Sequence, residues 1–285
     1  MNIELESLVS LALREDIGFG DMTTSLTVSP TAMGKTAIAA RSPLVFSGVE
    51  AAKAAFRLVD ESLEARALAR EGEWLAPGSV AMAIVGRAQS ILMAERVALN
   101  FLGHLSGVAT LTAKFVKASR LPGGGGPQIL DTRKTTPGLR ALEKAAVRHG
   151  GGHNHRFSLQ DGILIKDNHI QAAGSISKAL SLARKNGPSH LKIEVEIDSL
   201  DQLTEALEGG ADIVLLDNMP AKTLKMAMEA MTDFFRPEPR RVLAEASGGV
   251  SLDNIAEIAA TGVDRVSIGA LTHSAPAADL GLDWS

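Results

Sequence analysis

Leu191-Lys-Ile-Glu-Val-Glu196, a helical stretch from Leu200 to Leu207, and Ile213-Val-Leu-Leu-Asp217 read in order as strand, helix, strand. The two outer runs are short and aliphatic, and the middle one carries its apolar residues at helical spacing. Such a succession is a parallel βα unit. The rhythm continues on both sides. Apolar runs recur at Gln128-Ile-Leu-Asp131, Gly162-Ile-Leu-Ile-Lys166, Val242-Leu-Ala-Glu-Ala246 and Arg265-Val-Ser-Ile-Gly269. Helical stretches recur at 176–185, 221–231 and 254–260. Six such strands fit a small (β/α) barrel or an open doubly wound sheet. Their ends decide between the two, because Asp131, Lys166, Glu196, Asp217, Glu245 and Ser267 all stand at strand ends in this reading. A parallel barrel gathers every C-terminal strand end on one face, whereas an open sheet collects only those at its switch point. Polar groups on six strands favour the barrel.

Upstream of about residue 107 the pattern is different. Leu5, Leu8, Leu11 and Leu13 suggest a short helix that stops before Gly18. Lys35 to Arg41 and Val80 to Ala88 read as strands, Ser47 onward as a helix, and Glu71 to Gly78 as a turn. Ser90 to Leu105 reads as a strong helix. The expected division is therefore one domain over 1–107 and a second over 108–285. The Gly-rich run Gly123 to Gly126 reads as a surface loop.

Composition bounds the function. The 285 residues contain no cysteine, which excludes disulfides, a thiolate nucleophile, a cysteine zinc site and an iron–sulfur cluster. Zero cysteine is compatible with a reducing cytoplasm, the expected location. No apolar run approaches the roughly 18 residues of a membrane span. The acidic first twenty residues do not resemble a signal peptide. Net charge is −4, tyrosine is absent and aromatics are 4%, so neither a general nucleic-acid footprint nor a base-stacking surface is expected.

Residues 131–169 invert that charge, with seven Lys or Arg against four Asp or Glu, and hold four of the seven His. Arg133 and Lys134 follow one strand, Lys166 ends another, and Arg156 follows the Gly150–Gly152 turn. These four cations are expected to meet at the barrel mouth and to bind a small polyanion, since guanidinium forks grip carboxylate or phosphate. Arg140, Lys144 and Arg148 fall on one helical stripe and read as solvated surface. His153 and His155 lack a third ligand at a zinc spacing. His155 reads instead as a donor to a bound carboxylate, and His149 and His153 as loop or cap residues. Glu196 and Asp217 end successive strands. Carboxylates placed there need partners, and ribose hydroxyls or a Mg²⁺-bound pyrophosphate would supply them. Ser247-Gly248-Gly249 and Ser267-Ile268-Gly269 each follow a strand, a setting whose backbone N–H groups suit phosphate.

The motifs resemble those of the quinolinate phosphoribosyltransferase family along almost the whole chain. They are Glu15-Asp-Ile-Gly-Phe-Gly-Asp-Met-Thr-Thr24, Ala94-Glu-Arg-Val-Ala-Leu-Asn100, Gly103-His-Leu-Ser-Gly107, Asp131-Thr-Arg-Lys-Thr-Thr-Pro-Gly138 and Gly150-Gly-Gly-His-Asn-His-Arg156. Downstream come Leu164-Ile-Lys-Asp-Asn-His169, Glu194-Val-Glu196, Leu215-Leu-Asp-Asn218, Ala246-Ser-Gly-Gly249 and Gly269-Ala-Leu-Thr-His-Ser274. The departures are Ser158, where glycine is expected, and the Gly123–Gly126 insertion.

The resemblance implies an α/β fold: an N-terminal α/β sandwich domain plus a C-terminal incomplete (β/α) barrel, with the last residues returning to the N-terminal domain. It implies a homodimer in which each sandwich domain covers the partner's barrel mouth. The implied reaction transfers phosphoribosyl from phosphoribosyl pyrophosphate to quinolinate, with loss of CO₂, to give nicotinate mononucleotide for NAD biosynthesis. Arg133, Arg156, Lys166 and His155 would hold the two quinolinate carboxylates, with Arg96 reaching in from the neighbouring subunit. Lys134, Glu196 and Asp217 would meet phosphoribosyl pyrophosphate or its Mg²⁺, Ser247–Gly249 and Ser267–Gly269 the 5′-phosphate, and Thr132 is a further expected substrate-binding residue. Lys134, Lys166, Glu196 and Asp217 are the expected catalytic residues. The alternatives are a ModD-type transferase of the same fold with another acceptor, a nicotinate phosphoribosyltransferase, and a non-catalytic anion-binding protein.

Overall fold

The computed structural model describes residues 3–236 and 242–284. In chain order the first elements are helices α1 (Ile3–Ile17) and α2 (Met22–Thr27), strands β1 (Met33–Ala40) and β2 (Leu44–Val45), and helix α3 (Val49–Val59). Strands β3 (Glu64–Ala67), β4 (Trp74–Leu75) and β5 (Val80–Arg87) lead into the long helix α4 (Ala88–Ala118). Then follow β6 (Gln128–Leu130), α5 (Arg140–His149), β7 (Ile163–Ile165), α6 (Asp167–Ala173), α7 (Ile176–Asn186), β8 (Ile193–Ile197) and α8 (Asp201–Glu208). The chain closes with β9 (Ile213–Asp217), α9 (Ala221–Phe234), β10 (Leu243–Ser247), α10 (Ile255–Ala259), β11 (Arg265–Ser267), α11 (Ala270–His273) and β12 (Leu280–Trp284).

Two units emerge. The first comprises residues 3–113, 136–151 and 271–284, and the second 114–135, 152–236 and 242–270. In the first, an antiparallel sheet runs in the order β12-β1-β5-β3. The last residues belong to it, since β12 pairs with β1 from Thr36↔Trp284 to Ala40↔Leu280. Its core gathers Ile38, Met82 and Ile84 from the sheet with Phe46, Phe56, Ile91 and Leu102, all fully buried. Each such side chain contributes about 1.5–3 kcal/mol by leaving water.

The expected border at residue 107 falls inside α4. Gly103 and Gly107 look like a helix end in sequence, but they allow close packing instead. A β-carbon on Gly107 would lie 2.1 Å from the Pro276 carbonyl oxygen. The helix after Pro137 begins at Arg140, because residues 137–139 form a turn closed by Leu139 N–H to Thr136 O at 3.0 Å. Lys144 on that helix is buried, at 1% exposure, so the solvated-stripe reading fails for its middle member. The short helices α2 and α6 escape an apolar-periodicity reading because neither completes two turns.

The second unit holds all six predicted parallel strands, in the order β6-β11-β10-β9-β8-β7. Helices between successive strands cover the outer face with Ile176, Leu180, Leu203, Leu207, Leu224 and Ile255. Ser175 caps α7 by accepting from Lys178 N–H. Beyond β6 a single parallel bridge joins Leu130 to His153, and among the described residues no ladder joins that segment to β7. The barrel is therefore incomplete. Side chains alternate along each strand, so Val195 faces the helices while Glu194 and Glu196 share the inner face. Glu245 is not a strand end: it is the middle residue of β10, fully buried inside the barrel.

Candidate active site

The C-terminal ends of the strands surround a cavity of about 540 Å³. Its walls include Thr132, Arg133, Lys134, His155, Arg156, Lys166, Glu196, Asp217, Ser247, Gly248, Gly249 and Ser267, with Leu164, Leu215 and Asn218 between them. The fold thus brings together twelve of the residues singled out in the sequence. Arg96 belongs to the first unit, where it is exposed on α4. Ile268 is withdrawn, because its side chain is buried and its N–H donates to Leu130 O at 2.9 Å. Ile268 therefore has no free N–H to offer a phosphate, which corrects that part of the expected turn. Gly269 leads directly into α11 and does not line the cavity.

Local structure explains how each group is held. Asp131, fully buried after β6, accepts from Asn154 Nδ2 at 2.5 Å and from His155 N–H at 2.9 Å. It anchors the segment that presents Arg156. The Arg156 guanidinium donates to Gly162 O at 3.1 Å. Burial, and then the neighbouring Arg133 cation, lower its pKa. Cations crowded in this way favour an anion between them. The Phe157 and Ser158 N–H groups both close onto Asp161, at 2.5 and 2.6 Å, so serine in place of glycine is accommodated by a capped turn.

Lys166 precedes α6, and its N–H donates to His169 Nδ1 at 2.9 Å. Its ammonium pairs with the Glu196 carboxylate across β7 and β8. Asp217 ends β9 and accepts from Asn218 Nδ2 at 2.9 Å. Asn218 is the one non-glycine residue with positive φ among those described, at 53°. Its N–H donates to Ser247 O at 2.8 Å, which ties the end of β9 to the end of β10. Glu196 and Asp217 offer only oxygen donors and already have protein partners. That suits a hard cation that brings water and phosphate ligands of its own.

His155 departs from its expected role. Its Nδ1 accepts from Arg156 N–H at 2.7 Å, and its Nε2 lies 3.1 Å from Glu194 and 3.5 Å from Glu245. Both ring nitrogens have protein partners, so the ring is held between the Arg156 backbone and the Glu194 carboxylate. Desolvation, and next the nearby Glu194, push the Glu245 carboxyl up to about 7. Sequence reasoning gives no role to Glu194, Asn218 and His169, and reads Glu245 only as a polar strand end. The period-two placing of Glu194 and Glu196 was a usable signal for the first.

A larger cavity, about 670 Å³, lies within the first unit. Arg57 pairs there with Glu6 at 2.7 Å and Lys53 with Glu50 at 3.4 Å. Among the described residues no helix is long and apolar enough to cross a membrane.

Comparison with known proteins agrees with this geometry. The family described as quinolinate phosphoribosyl transferase, N-terminal domain, matches residues 21–106, and its C-terminal domain matches residues 108–283. The chain is 44% identical over 278 residues to a Mycobacterium leprae protein named nicotinate-nucleotide pyrophosphorylase (carboxylating), covering 95% of this chain and 94% of that one. It is 41% identical over 282 residues to a Bacillus subtilis protein named probable nicotinate-nucleotide pyrophosphorylase (carboxylating), covering 99% and 94%. The solved nicotinate-nucleotide pyrophosphorylase of Francisella tularensis superposes with a TM-score of 0.91 at 37% identity, covering 100% of this chain and 97% of that one. The chain belongs to the quinolinate phosphoribosyltransferase family.

Proposed function

We infer that the chain is a carboxylating nicotinate-nucleotide pyrophosphorylase. It transfers phosphoribosyl from phosphoribosyl pyrophosphate to quinolinate and releases pyrophosphate and CO₂, giving nicotinate mononucleotide for NAD biosynthesis. The observation that carries this reading is one mouth where Arg133, Arg156 and Lys166 converge beside Glu196 and Asp217, in a chain of this family. A dicarboxylate acceptor needs the cations, and a ribosyl donor needs the acids.

The cations hold the pyridine ring with its nitrogen toward the anomeric carbon. The nitrogen attacks as pyrophosphate departs, through an oxocarbenium-like transition state. Positioning and fixed charge supply most of the acceleration. Glu196 and Asp217 are assigned to the ribose side, where their charge would stabilise the developing oxocarbenium ion. Glu196 and Asp217 would hold the Mg²⁺ that accompanies the substrate, and when bound it would supply positive charge to the leaving pyrophosphate. The quaternised ring nitrogen then stabilises the carbanion formed as the adjacent carboxylate leaves as CO₂, and a proton completes the product. Lys134 and Thr132 are assigned to the pyrophosphate. Ser247, Gly248, Gly249 and Ser267 are assigned to the 5′-phosphate.

We further propose a cytoplasmic homodimer in which Arg96 reaches the partner's mouth, with no nucleic-acid or membrane partner. The ModD-type alternative is disfavoured by the complete Asn154-His-Arg156 and Leu164–His169 motifs, and a monocarboxylate acceptor by the number of cations. Titration with phosphoribosyl pyrophosphate, with and without Mg²⁺, followed by assay with quinolinate, tests the reading. A protein that binds the anion but makes no nucleotide would be a binding module.

A further inference from the structure

Helix α6 is held by its two ends rather than by the core. Its seven residues include none that is buried, and a helix that short is marginal by itself. Its C-terminal end closes on Gly174, with φ of 102°, whose N–H donates to Ile170 O at 2.8 Å. Its N-terminal end closes on Lys166, which follows β7 and the last pair of that ladder, Ile165↔Val195. The Lys166 carbonyl accepts from His169 N–H at 2.8 Å and from Ile170 N–H at 3.0 Å. The Lys166 N–H donates to His169 Nδ1 at 2.9 Å. His169 thus makes two of the three bonds that fix this backbone. The residue so fixed is the one whose ammonium pairs with Glu196.

The side chain that reaches back from the third helical position is commonly Glu or Gln. A carboxylate would be the stronger acceptor and would suit the helix N-terminus. Beside Lys166 it would be out of place. Asp167, Glu196, Asp198 and Asp217 already line one hollow of about 220 Å³, and Glu196 from that set already pairs with the ammonium. One more carboxylate in the first turn of α6 would draw on the same ammonium and repel an arriving anion. A ring whose Nδ1 accepts carries its proton on Nε2 and is neutral. It makes the bond and adds no charge.

We propose that His169 is a positioning residue for Lys166, holding its backbone at the end of β7 with an uncharged acceptor so that the ammonium is presented to quinolinate. The ammonium sits on a flexible four-carbon stem. A loose backbone beneath that stem would spread the charge over many positions, whereas the closed turn gives it one origin. The proposal rests on the reading of Lys166 as a quinolinate ligand, and it adds a residue that lines no part of the mouth cavity.

Three variants of the full chain separate the bond from the charge, with calorimetric affinities for each substrate as the readout. Asn and Asp place an acceptor oxygen as many bonds from the backbone as Nδ1, one neutral and one charged, and Ala places none. His169→Ala should raise the quinolinate Kd about three- to tenfold and leave that of phosphoribosyl pyrophosphate nearly unchanged. His169→Asn should recover most of the wild-type affinity. His169→Asp should melt no lower than His169→Asn, because a carboxylate suits the helix N-terminus, yet bind quinolinate as poorly as His169→Ala. A residue that only caps a helix would rank Asp with Asn for quinolinate, and that ranking overturns the proposal. So do equal losses for the two ligands, an affinity untouched in His169→Ala, or one not recovered in His169→Asn. Nitrogen-15 spectra of wild-type His169 at pH 8 decide independently if a variant folds poorly. A ring protonated on Nε2 alone is expected, and an Nδ1-protonated ring overturns the proposal. A wild-type chain that binds quinolinate without forming nucleotide would sink the transferase activity and leave His169 to be judged on the same affinities. One that binds no quinolinate would sink both.

Discussion

Gly248 sits against Asn218 so closely that a β-carbon on it would fall 2.1 Å from the Asn218 side-chain oxygen. Gly248 also has φ of 89°, which an L side chain rarely adopts. Gly248→Ala should therefore push the Asn218 turn off β10 and cost about 1–3 kcal/mol. Because Asn218 donates to Asp217, the KM for phosphoribosyl pyrophosphate should rise as well. Thermal melting and steady-state kinetics check this. An unchanged Tm and KM would mean the turn has room the structure does not show.

The Lys166–Glu196 pair predicts a split between the two substrates. Lys166→Ala, like Arg133→Ala, removes a cation assigned to quinolinate, and on the order of 2–5 kcal/mol of binding should go with it when the carboxylate is left unpaired. Phosphoribosyl pyrophosphate affinity should change far less. Asp217→Asn should do the reverse, sparing quinolinate affinity and lowering kcat. Calorimetry with each ligand decides, and equal losses for both would contradict the assignment.

Acid stability should depend on Asp60, which follows α3. It accepts from Ser62 Oγ at 2.7 Å, from Ser90 Oγ at 2.8 Å and from Arg87 Nε at 2.8 Å. These bonds, the Ser62 and Ser90 hydroxyls first, hold its carboxyl well below the usual carboxylate range. A depressed folded pKa stabilises the fold above the unfolded value of 3.8 and is lost as pH falls below it. Asp60→Asn should be less stable at neutral pH but lose less of its stability on acidification. Unfolding curves at stepped pH test this, and parallel acid limbs would contradict it.

Arg96 tests the proposed dimer. Arg96→Ala and Lys166→Ala chains should each be nearly inactive. In a mixed dimer one site inherits both defects and the other neither. Random reassortment then restores roughly a quarter of wild-type activity. If co-refolded mixtures stay inactive while mass spectrometry shows exchange, Arg96 serves no partner site.

Much of this architecture was legible in sequence for a simple reason. Short aliphatic runs ending in Lys166, Asp217 or Ser267 mark parallel strands and their functional ends at once. Glu245 misled because a buried carboxylate inside a strand looks like a strand end when the run is read from its charge. Lys144 misled because helical spacing gives a stripe without saying which way it faces. The Ile268 N–H was lost to Leu130 because β11 pairs with β6, a closure that no local pattern encodes. His155 was placed at the mouth correctly, but the direction of its ring depended on Glu194 and Glu245 from two distant strands.

The central claim is the chemistry at the mouth. Quinolinate labelled in its 2-carboxylate should release labelled CO₂ only when phosphoribosyl pyrophosphate and Mg²⁺ are both present, with one pyrophosphate formed per CO₂. Nucleotide formed with the label retained, or no CO₂ with both substrates and Mg²⁺ supplied to folded protein, would contradict the account.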